Sequence, residues 1–251
     1  MAQAKNTPAK KKPFVYSDFD DAKRRILKTI PAGPFYGLLT GASGTGKTSL
    51  LREVAASLDR HRFQVHYLAQ SRASSAGLGR FLAETLHLTP RRSHTETLRA
   101  MAQALRALPF RILLFVDEAH LLPDEALQEV RLLAESELDS PPLFTVFFSG
   151  LPELKGRLEA PALFPLKRRL SLCLSLSGLK KDELEPFLLC RLGEAPSGRL
   201  GAEVLAAIFE RARGIPALVE SFSRRCLEEI PEGEPLGLDA ISEALESWDL
   251  Q

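Results

Sequence analysis

The segment Gly41–Thr48 has the sequence GASGTGKT and matches the phosphate-binding pattern G-x-x-x-x-G-K-[ST] at every fixed position. The apolar stretch Phe35–Thr40 precedes it and predicts a buried strand, and apolar residues at helical spacing follow it over Ser49–Leu58. A strand, a glycine-rich turn and a helix N-terminus together direct several backbone N–H groups at one anion. We therefore expect a P-loop that binds a nucleoside triphosphate. The alternative, a glycine-rich turn without a ligand, does not account for both flanking elements.

Individual residues of this loop have separate expected roles. The glycines let the backbone approach the phosphates closely. Lys47 is expected to reach the β- and γ-phosphates, which also makes it a catalytic residue, and the Thr48 hydroxyl is expected to bind Mg²⁺. The predicted ATP-binding residues are Gly41, Ser43, Gly44, Thr45, Gly46, Lys47, Thr48 and Ser49. ATP and Mg²⁺ are the expected cofactors.

A second motif, Asp117-Glu118-Ala119-His120, follows the apolar run Arg111–Val116. An acid at the carboxyl end of a buried strand, after a P-loop in the same chain, is the Walker B arrangement. Asp117 is expected to orient Mg²⁺ and Glu118 to polarise the attacking water, because phosphoryl transfer is catalysed by positioning and electrostatics. The alternative is an acidic pair that caps the following helix. His120 either relays nucleotide state or makes a local hydrogen bond at a helix start, and the second role is the commoner one.

Apolar runs that alternate with helical patterns predict the fold class. Strands are expected at 35–40, 63–69, 111–117, 143–149 and 170–176, and the main helices at 18–30, 49–58, 76–88, 95–108 and 123–136. Strands alternating with helices form a parallel sheet that is covered on both faces. We expect an α/β P-loop NTPase fold, with a parallel five-stranded sheet flanked by helices and a small all-helical lid behind it.

The lid is predicted because the strand signals stop after Gly178. Amphipathic helices are expected at about 180–192, 201–213, 216–230 and 239–248. Gly214 is suited to follow a helix end, and Pro216 is suited to begin the next helix. The expected domains are a basic disordered arm at 1–16, an ATPase core at 17–177 and a helical lid at 178–251.

Composition places few limits on partners. The formal net charge of +1 neither requires nor excludes a nucleic acid, although four lysines and no acid occur in the first thirteen residues. The chain has three cysteines, Cys173, Cys190 and Cys226, without metal-ligand spacing, which indicates free thiols in a reducing compartment. No apolar run reaches membrane-spanning length, so we expect a cytoplasmic protein without a membrane partner.

Beyond these motifs, the sequence resembles the AAA+ ATPases grouped around the secretion ATPase ExeA and the transposition regulators TnsC, TniB and MuB. The resemblance covers about 16–230. The segments that carry it are FYGLLTGASGTGKTSLLREV, RILLFVDEAHLLPDEALQEVRLLAE, VFFSGLPELKGRL, LFPLKRRLSLCLSLSGL and RARGIPALVESFSRRCLEEI. The G-x-P-E-L turn at 150–154 and the G-I-P at 214–216 are the most particular to this group.

The resemblance implies an AAA+ core that forms a hexameric ring or helical filament, with each nucleotide sandwiched between neighbours. It implies that Arg169, or alternatively Arg168, is an arginine finger that acts in trans. The polar sensor residue before P-E-L is replaced here by Leu151, which leaves Ser149 as the sensor. The arginine that often follows G-I-P is replaced by Ala217. Both departures predict weak γ-phosphate sensing and slow hydrolysis.

Two functions fit this resemblance. One is an ATP-dependent regulator of DNA transposition that oligomerises on duplex DNA without sequence preference and recruits a transposase or adaptor protein. The residues expected to contact DNA phosphates are Arg72, Arg80, Arg91 and Arg92. The other is a secretion-associated ATPase like ExeA that does not bind DNA. A DEAH helicase is disfavoured because the chain has one P-loop, whereas such helicases have two motor domains.

Overall fold

The computed structural model describes residues 14–68, 94–134 and 142–229. Several sequence predictions lie outside these residues. They are the lysines of the N-terminal arm, the helices at 76–88 and 239–248, and the DNA-contact candidates Arg72, Arg80, Arg91 and Arg92.

The described residues contain a parallel five-stranded sheet, as predicted. Its strands are β1 (Tyr36–Gly41), β2 (Phe63–Leu68), β3 (Arg111–Val116), β4 (Thr145–Gly150) and β5 (Leu170–Leu176). Their spatial order is β2-β3-β4-β1-β5, and all four neighbouring pairs are parallel. The carboxyl ends of the strands therefore lie along one edge of the sheet, with β4 between the P-loop strand and the strand that precedes Asp117.

Helices connect the strands and continue after β5. They are α1 (Ser17–Thr29), α2 (Lys47–Ser57), α3 (His94–Ala107), α4 (Asp124–Ala134), α5 (Glu153–Arg157), α6 (Phe164–Lys167), α7 (Leu184–Leu192), α8 (Glu194–Ser197), α9 (Ala202–Ala212) and α10 (Pro216–Glu229). Short 3-10 turns lie at Ile30–Ala32, Ala119–Leu121 and Lys181–Glu183. Pro216 is the first residue of α10, as predicted.

The burial of the strands explains why their apolar runs predicted them from the sequence. Every residue of β1 and β4 is buried, and β3 is buried from Ile112 to Val116. These strands are covered on both faces, which requires nearly continuous apolar runs. The edge strand β5 alternates instead, with Leu172, Leu174 and Leu176 buried and the intervening residues exposed.

Three short helices were not predicted: α5, α6 and α8. Each has five residues or fewer, so none repeats the helical period often enough to produce an apolar stripe. Two of them, α5 and α6, lie between β4 and β5, in a segment where the sequence analysis predicted no regular structure.

The chain divides into two compact units. The first contains Ser17–Gly178 together with Ile215–Ala217, and thus the whole sheet. The described part of the second consists of 14–16, 179–214 and 218–229. In the second unit, Gly214 follows α9 with a φ of +69°, and a Cβ there would lie 2.5 Å from the carbonyl oxygen of Leu179. No helix in the described segments is long and apolar enough to cross a membrane.

Candidate active site

The P-loop links β1 to α2 and uses its glycines in two ways. Gly44 and Gly46 have φ values of +84° and +94°, which side chains with a Cβ rarely adopt. Gly41 is required for a different reason. A Cβ at this position would lie 2.8 Å from both the Leu176 carbonyl oxygen and the Thr45 hydroxyl. The loop therefore depends on glycine for its turn and for its packing against the end of β5.

The start of α2 provides unpaired donors for an anion. The first helical hydrogen bond runs from the Leu50 N–H to the Gly46 carbonyl at 2.8 Å, and no side chain caps the helix. The backbone N–H groups of Lys47, Thr48 and Ser49 consequently have no partner within the helix. Together with the positive end of the helix dipole, they form an arrangement suited to an anion such as phosphate, called the phosphate cradle below.

Lys47 lies in this cradle with 5% of its surface exposed. Its ammonium group donates to the Gly41 carbonyl at 2.8 Å and to the Ala42 carbonyl at 3.0 Å. Burial lowers the pKa of Lys47, and the negative charges of Glu118 and Asp117 oppose that change. The site thus holds a poorly solvated cation that a triphosphate would stabilise.

The predicted metal ligands come together across the sheet. The Thr48 hydroxyl donates to the Asp117 carboxylate at 2.6 Å, although the two residues are 69 positions apart in the chain. Both are hard oxygen donors, the kind that Mg²⁺ prefers, and Mg²⁺ commonly takes one or two protein ligands beside nucleotide phosphates and water. The residues present therefore fit the expected ion.

Glu118 adopts an unusual backbone conformation beside these ligands. Its φ and ψ are 52° and 36°, a left-handed geometry that costs a non-glycine residue about 1–3 kcal/mol. Its backbone N–H donates to the Asp117 carboxylate at 3.0 Å, while its side chain remains 45% exposed. Glu118 precedes the 3-10 turn Ala119–Leu121, and its side chain does not cap that turn. The helix that the capping alternative concerned, α4, begins six residues later at Asp124.

Ser149 is the residue before the last of β4, the strand between the P-loop strand and β3. It is fully buried, and its hydroxyl has no hydrogen-bond partner among the described residues. An unsatisfied buried hydroxyl costs about 1–3 kcal/mol. Such a group fits a sensor that acquires its partner when nucleotide binds.

Two residues near Glu118 were underestimated or missed by the sequence analysis. His120 lies in the 3-10 turn rather than at the start of α4, and its Nδ1 accepts from the Leu151 N–H at 3.4 Å. Arg157 on α5 donates to the carbonyls of His120 and Leu122 at 2.6 and 2.9 Å and also to the Asp124 carboxylate. The only sequence signal for Arg157 was its place within the segment VFFSGLPELKGRL.

The two candidate arginine fingers differ in exposure. Arg168 follows α6 and is exposed, with its guanidinium group 6.0 Å from the centre of the Phe164 ring. Arg169 is half-buried. Phe164 is itself 46% exposed, so an aromatic ring and a cation share this surface.

Ala217, which replaces the arginine expected after G-I-P, contacts the P-loop within the first compact unit. Its N–H donates to the Gly44 carbonyl at 3.3 Å. A Cβ at Gly44 would lie 2.7 Å from the Ala217 Cβ and 3.2 Å from Ile215 Cγ2. The P-loop and the start of α10 therefore approach so closely that Gly44 leaves no room for a side chain.

Comparison with known proteins identifies the family of this site. Residues 34–158 match the family model described as AAA domain. These residues form an AAA domain. The AAA domain includes the P-loop, both acids of the Walker B motif, Ser149 and Arg157, whereas Arg168, Arg169 and Ala217 lie outside the matched range.

The chain is also similar to General secretion pathway protein A of Aeromonas hydrophila, with 28% identity over 229 residues. That match covers 88% of this chain but only 42% of the relative, so the chain spans less than half of that protein.

Solved structures support the fold of the AAA domain. Cdc6p from Pyrobaculum aerophilum has a TM-score of 0.63 at 16% identity, covering 88% of this chain and 64% of that one. The Aeropyrum pernix ORC1 protein in complex with DNA has a TM-score of 0.63 at 18% identity, covering 94% and 66%. At these identities the likeness concerns the fold alone.

Proposed function

We propose that this chain is a Mg²⁺-dependent ATPase whose reaction takes place between α2 and the carboxyl end of β3. The observation that carries the proposal is the 2.6 Å contact between the Thr48 hydroxyl and the Asp117 carboxylate. It brings a metal-binding pair next to a buried lysine and a strained glutamate, the set of groups that phosphoryl transfer uses.

In this proposal each group has one task. The P-loop N–H groups and Lys47 bind the phosphates, while Thr48 and Asp117 hold Mg²⁺. The ion, when bound, neutralises charge on the phosphoryl oxygens. Of the two acids, Asp117 accepts from the Thr48 hydroxyl and Glu118 does not. The half-exposed Glu118 carboxylate can therefore orient the attacking water and accept a proton from that water.

Replacing Glu118 by Gln tests the hydrolytic step. The amide keeps the size of the side chain but cannot accept a proton, so we expect ATP binding to be retained and turnover to fall about 10²–10⁴-fold. Phosphate release measures turnover, and calorimetry measures binding. Glu125→Gln, an exposed acid in the first turn of α4, is the matched control and should leave both unchanged. Unchanged turnover in Glu118→Gln would remove this residue from the mechanism.

We further propose that the ATPase oligomerises, as a ring or filament, and that Arg169 of one copy completes the site of its neighbour. Arg168 is the alternative because it is the more exposed of the two. The exposed ring of Phe164 lies beside the Arg168 guanidinium, and aromatic residues and arginine are the types enriched at protein interfaces, which supports this face as one that meets another copy.

For the biological role, we propose an ATP-dependent regulator of DNA transposition that assembles on duplex DNA and recruits a transposase or adaptor. The support is the motif resemblance, the basic candidates Arg72, Arg80, Arg91 and Arg92, and a fold shared with a protein solved in complex with DNA. Arginines of this kind would bind DNA phosphates, and phosphate contacts do not distinguish one base sequence from another.

DNA binding is expected to require ATP, to ignore sequence and to weaken steeply with salt. If the four arginines each neutralise one phosphate, log K should fall with log[salt] with a slope of about −3.6. Replacing Arg91 and Arg92 by Ala should reduce that slope by about 2. Filter binding with an ATP analogue measures both slopes. Arg60→Ala is the control, since Arg60 is exposed and precedes β2 whereas the candidates follow it.

The second candidate role is a secretion-associated ATPase without DNA binding. The sequence similarity to General secretion pathway protein A favours it. ATP hydrolysis with no DNA retained at low salt would support this role over transposition.

A further inference from the structure

His120 has two competing neighbours on the same ring atom. Its Nδ1 accepts from the Leu151 N–H at 3.4 Å and lies 3.6 Å from a carboxylate oxygen of Glu118. The side chain of His120 is 13% exposed, and that of Glu118 is 45% exposed. The histidine is therefore held in place while the glutamate faces solvent.

Nδ1 cannot form hydrogen bonds with the Leu151 N–H and the Glu118 carboxylate at the same time, because the first needs an acceptor and the second needs a donor. A neutral Nδ1 with its lone pair free accepts from an N–H, but it offers nothing to a carboxylate. An Nδ1 that carries a hydrogen donates to the carboxylate and leaves the amide without an acceptor. Both contacts are long for hydrogen bonds, and small movements decide which one forms.

We propose that His120 is a positioning residue that couples the Glu118 carboxylate to the chain that follows β4. This inference rests on the proposed role of Glu118 in hydrolysis. Leu151 comes two residues after Ser149, the candidate nucleotide sensor. A shift of the end of β4 when Ser149 gains a partner therefore moves the amide that competes with Glu118 for His120.

The surroundings limit how His120 can move. Arg157 donates to the His120 carbonyl at 2.6 Å and to the Leu122 carbonyl at 2.9 Å, so it ties the Walker B turn to α5. At Gly150, a Cβ would lie 3.2 Å from both the backbone nitrogen and Nδ1 of His120. The His120 ring therefore lies close to Gly150, the last residue of β4.

Three substitutions at one position separate positioning from packing. His120→Asn places one of its two amide atoms on the branch of Nδ1, where the oxygen can accept from the Leu151 N–H or, after the amide flips, the nitrogen can donate to Glu118. His120→Gln places its polar atoms one bond further out, and His120→Ala removes them. We expect Ala and Gln to lower kcat by about 10–100-fold, the usual effect of losing a group that orients a functional side chain. Asn should remain within about threefold of the natural protein.

Binding of ATP should be unchanged in all three variants, because His120 contacts neither the P-loop nor the metal ligands in the described structure. Calorimetry measures this affinity and phosphate release measures kcat. Combining His120→Ala with Glu118→Gln should cause no loss beyond that of Glu118→Gln alone, since the first residue is proposed to act through the second.

The outcomes distinguish the two proposals. A full kcat in His120→Ala, with a large loss in Glu118→Gln, overturns the coupling and leaves the ATPase mechanism intact. Equal losses in Ala and Asn, or a further loss in the double variant, also overturn it. A full kcat in Glu118→Gln overturns the proposed mechanism itself. Where His120→Ala fails to fold by thermal unfolding, His120→Gln provides the second test, because it keeps a large polar side chain at this position and should still lower kcat without changing ATP affinity.

Discussion

Lys47→Ala is expected to weaken ATP binding severely and, with it, to prevent any assembly that requires ATP. The Lys47 ammonium is the buried cation of the phosphate cradle, and the acids Asp117 and Glu118 lie close enough to influence its pKa. Without it, a triphosphate would enter a site whose nearest charges repel it. Losing one charged hydrogen-bond partner costs roughly 1.5–3 kcal/mol, and the added repulsion brings the expected loss of affinity to about 10²-fold or more.

The control for this variant is Lys47→Gln. The ammonium also donates to the Gly41 and Ala42 carbonyls, so Ala removes structural contacts together with the charge. Gln removes the charge but retains an N–H donor, on a side chain that is one atom shorter. Thermal unfolding without nucleotide should therefore show Gln closer to the natural protein than Ala, while calorimetry shows weak ATP binding for both. Retained ATP affinity in Lys47→Gln would contradict the P-loop assignment.

The parts of this site that sequence could predict are those built from short continuous segments. The P-loop is one such segment, because its glycines, Lys47 and Thr48 act within a single strand–loop–helix unit. The Walker B acids could be placed because they end a strand that is buried on both faces and therefore apolar throughout. Because β1 and β3 both pair in parallel with β4, the P-loop and the Walker B acids lie at the same edge of the sheet.

Contacts between distant segments could not be predicted in the same way. The Leu151 amide meets His120 across 31 positions, and Arg157 reaches the His120 carbonyl across 37. Neither contact leaves a periodic pattern, because a guanidinium or an imidazole at these positions is equally compatible with a solvated surface. The helix α5 that carries Arg157 is also too short to produce an apolar stripe.

Ala217 departs from the expected motif, and the structure shows what this residue contacts. Sequence alone marked only the missing arginine and predicted weak γ-phosphate sensing. In the structure, Ala217 donates its N–H to Gly44, whose missing side chain makes the approach possible. The residue after G-I-P therefore contacts the P-loop through its backbone. This contact joins two distant segments, so neither segment alone could predict it.

The arginine finger is the remaining prediction with a large effect. We expect Arg169→Ala to lower turnover about 10³–10⁵-fold while ATP binding is retained, because a trans arginine stabilises charge that develops only in the transition state. Arg168→Ala is the matched control one residue away, and a loss confined to Arg168→Ala would transfer the role to that residue. Full turnover in both variants would contradict a trans arginine at this place.

Subunit mixing determines whether the arginine acts between copies. An Arg169→Ala subunit retains its own Glu118, and a Glu118→Gln subunit binds ATP and retains its own Arg169. Neither should hydrolyse ATP efficiently alone. In an equal mixture that assembles at random, one interface in four combines the intact glutamate of one copy with the intact arginine of its neighbour, so turnover should recover to about a quarter of the natural rate. If the arginine acted within its own subunit, no mixture would recover, because each copy would still lack one of the two groups.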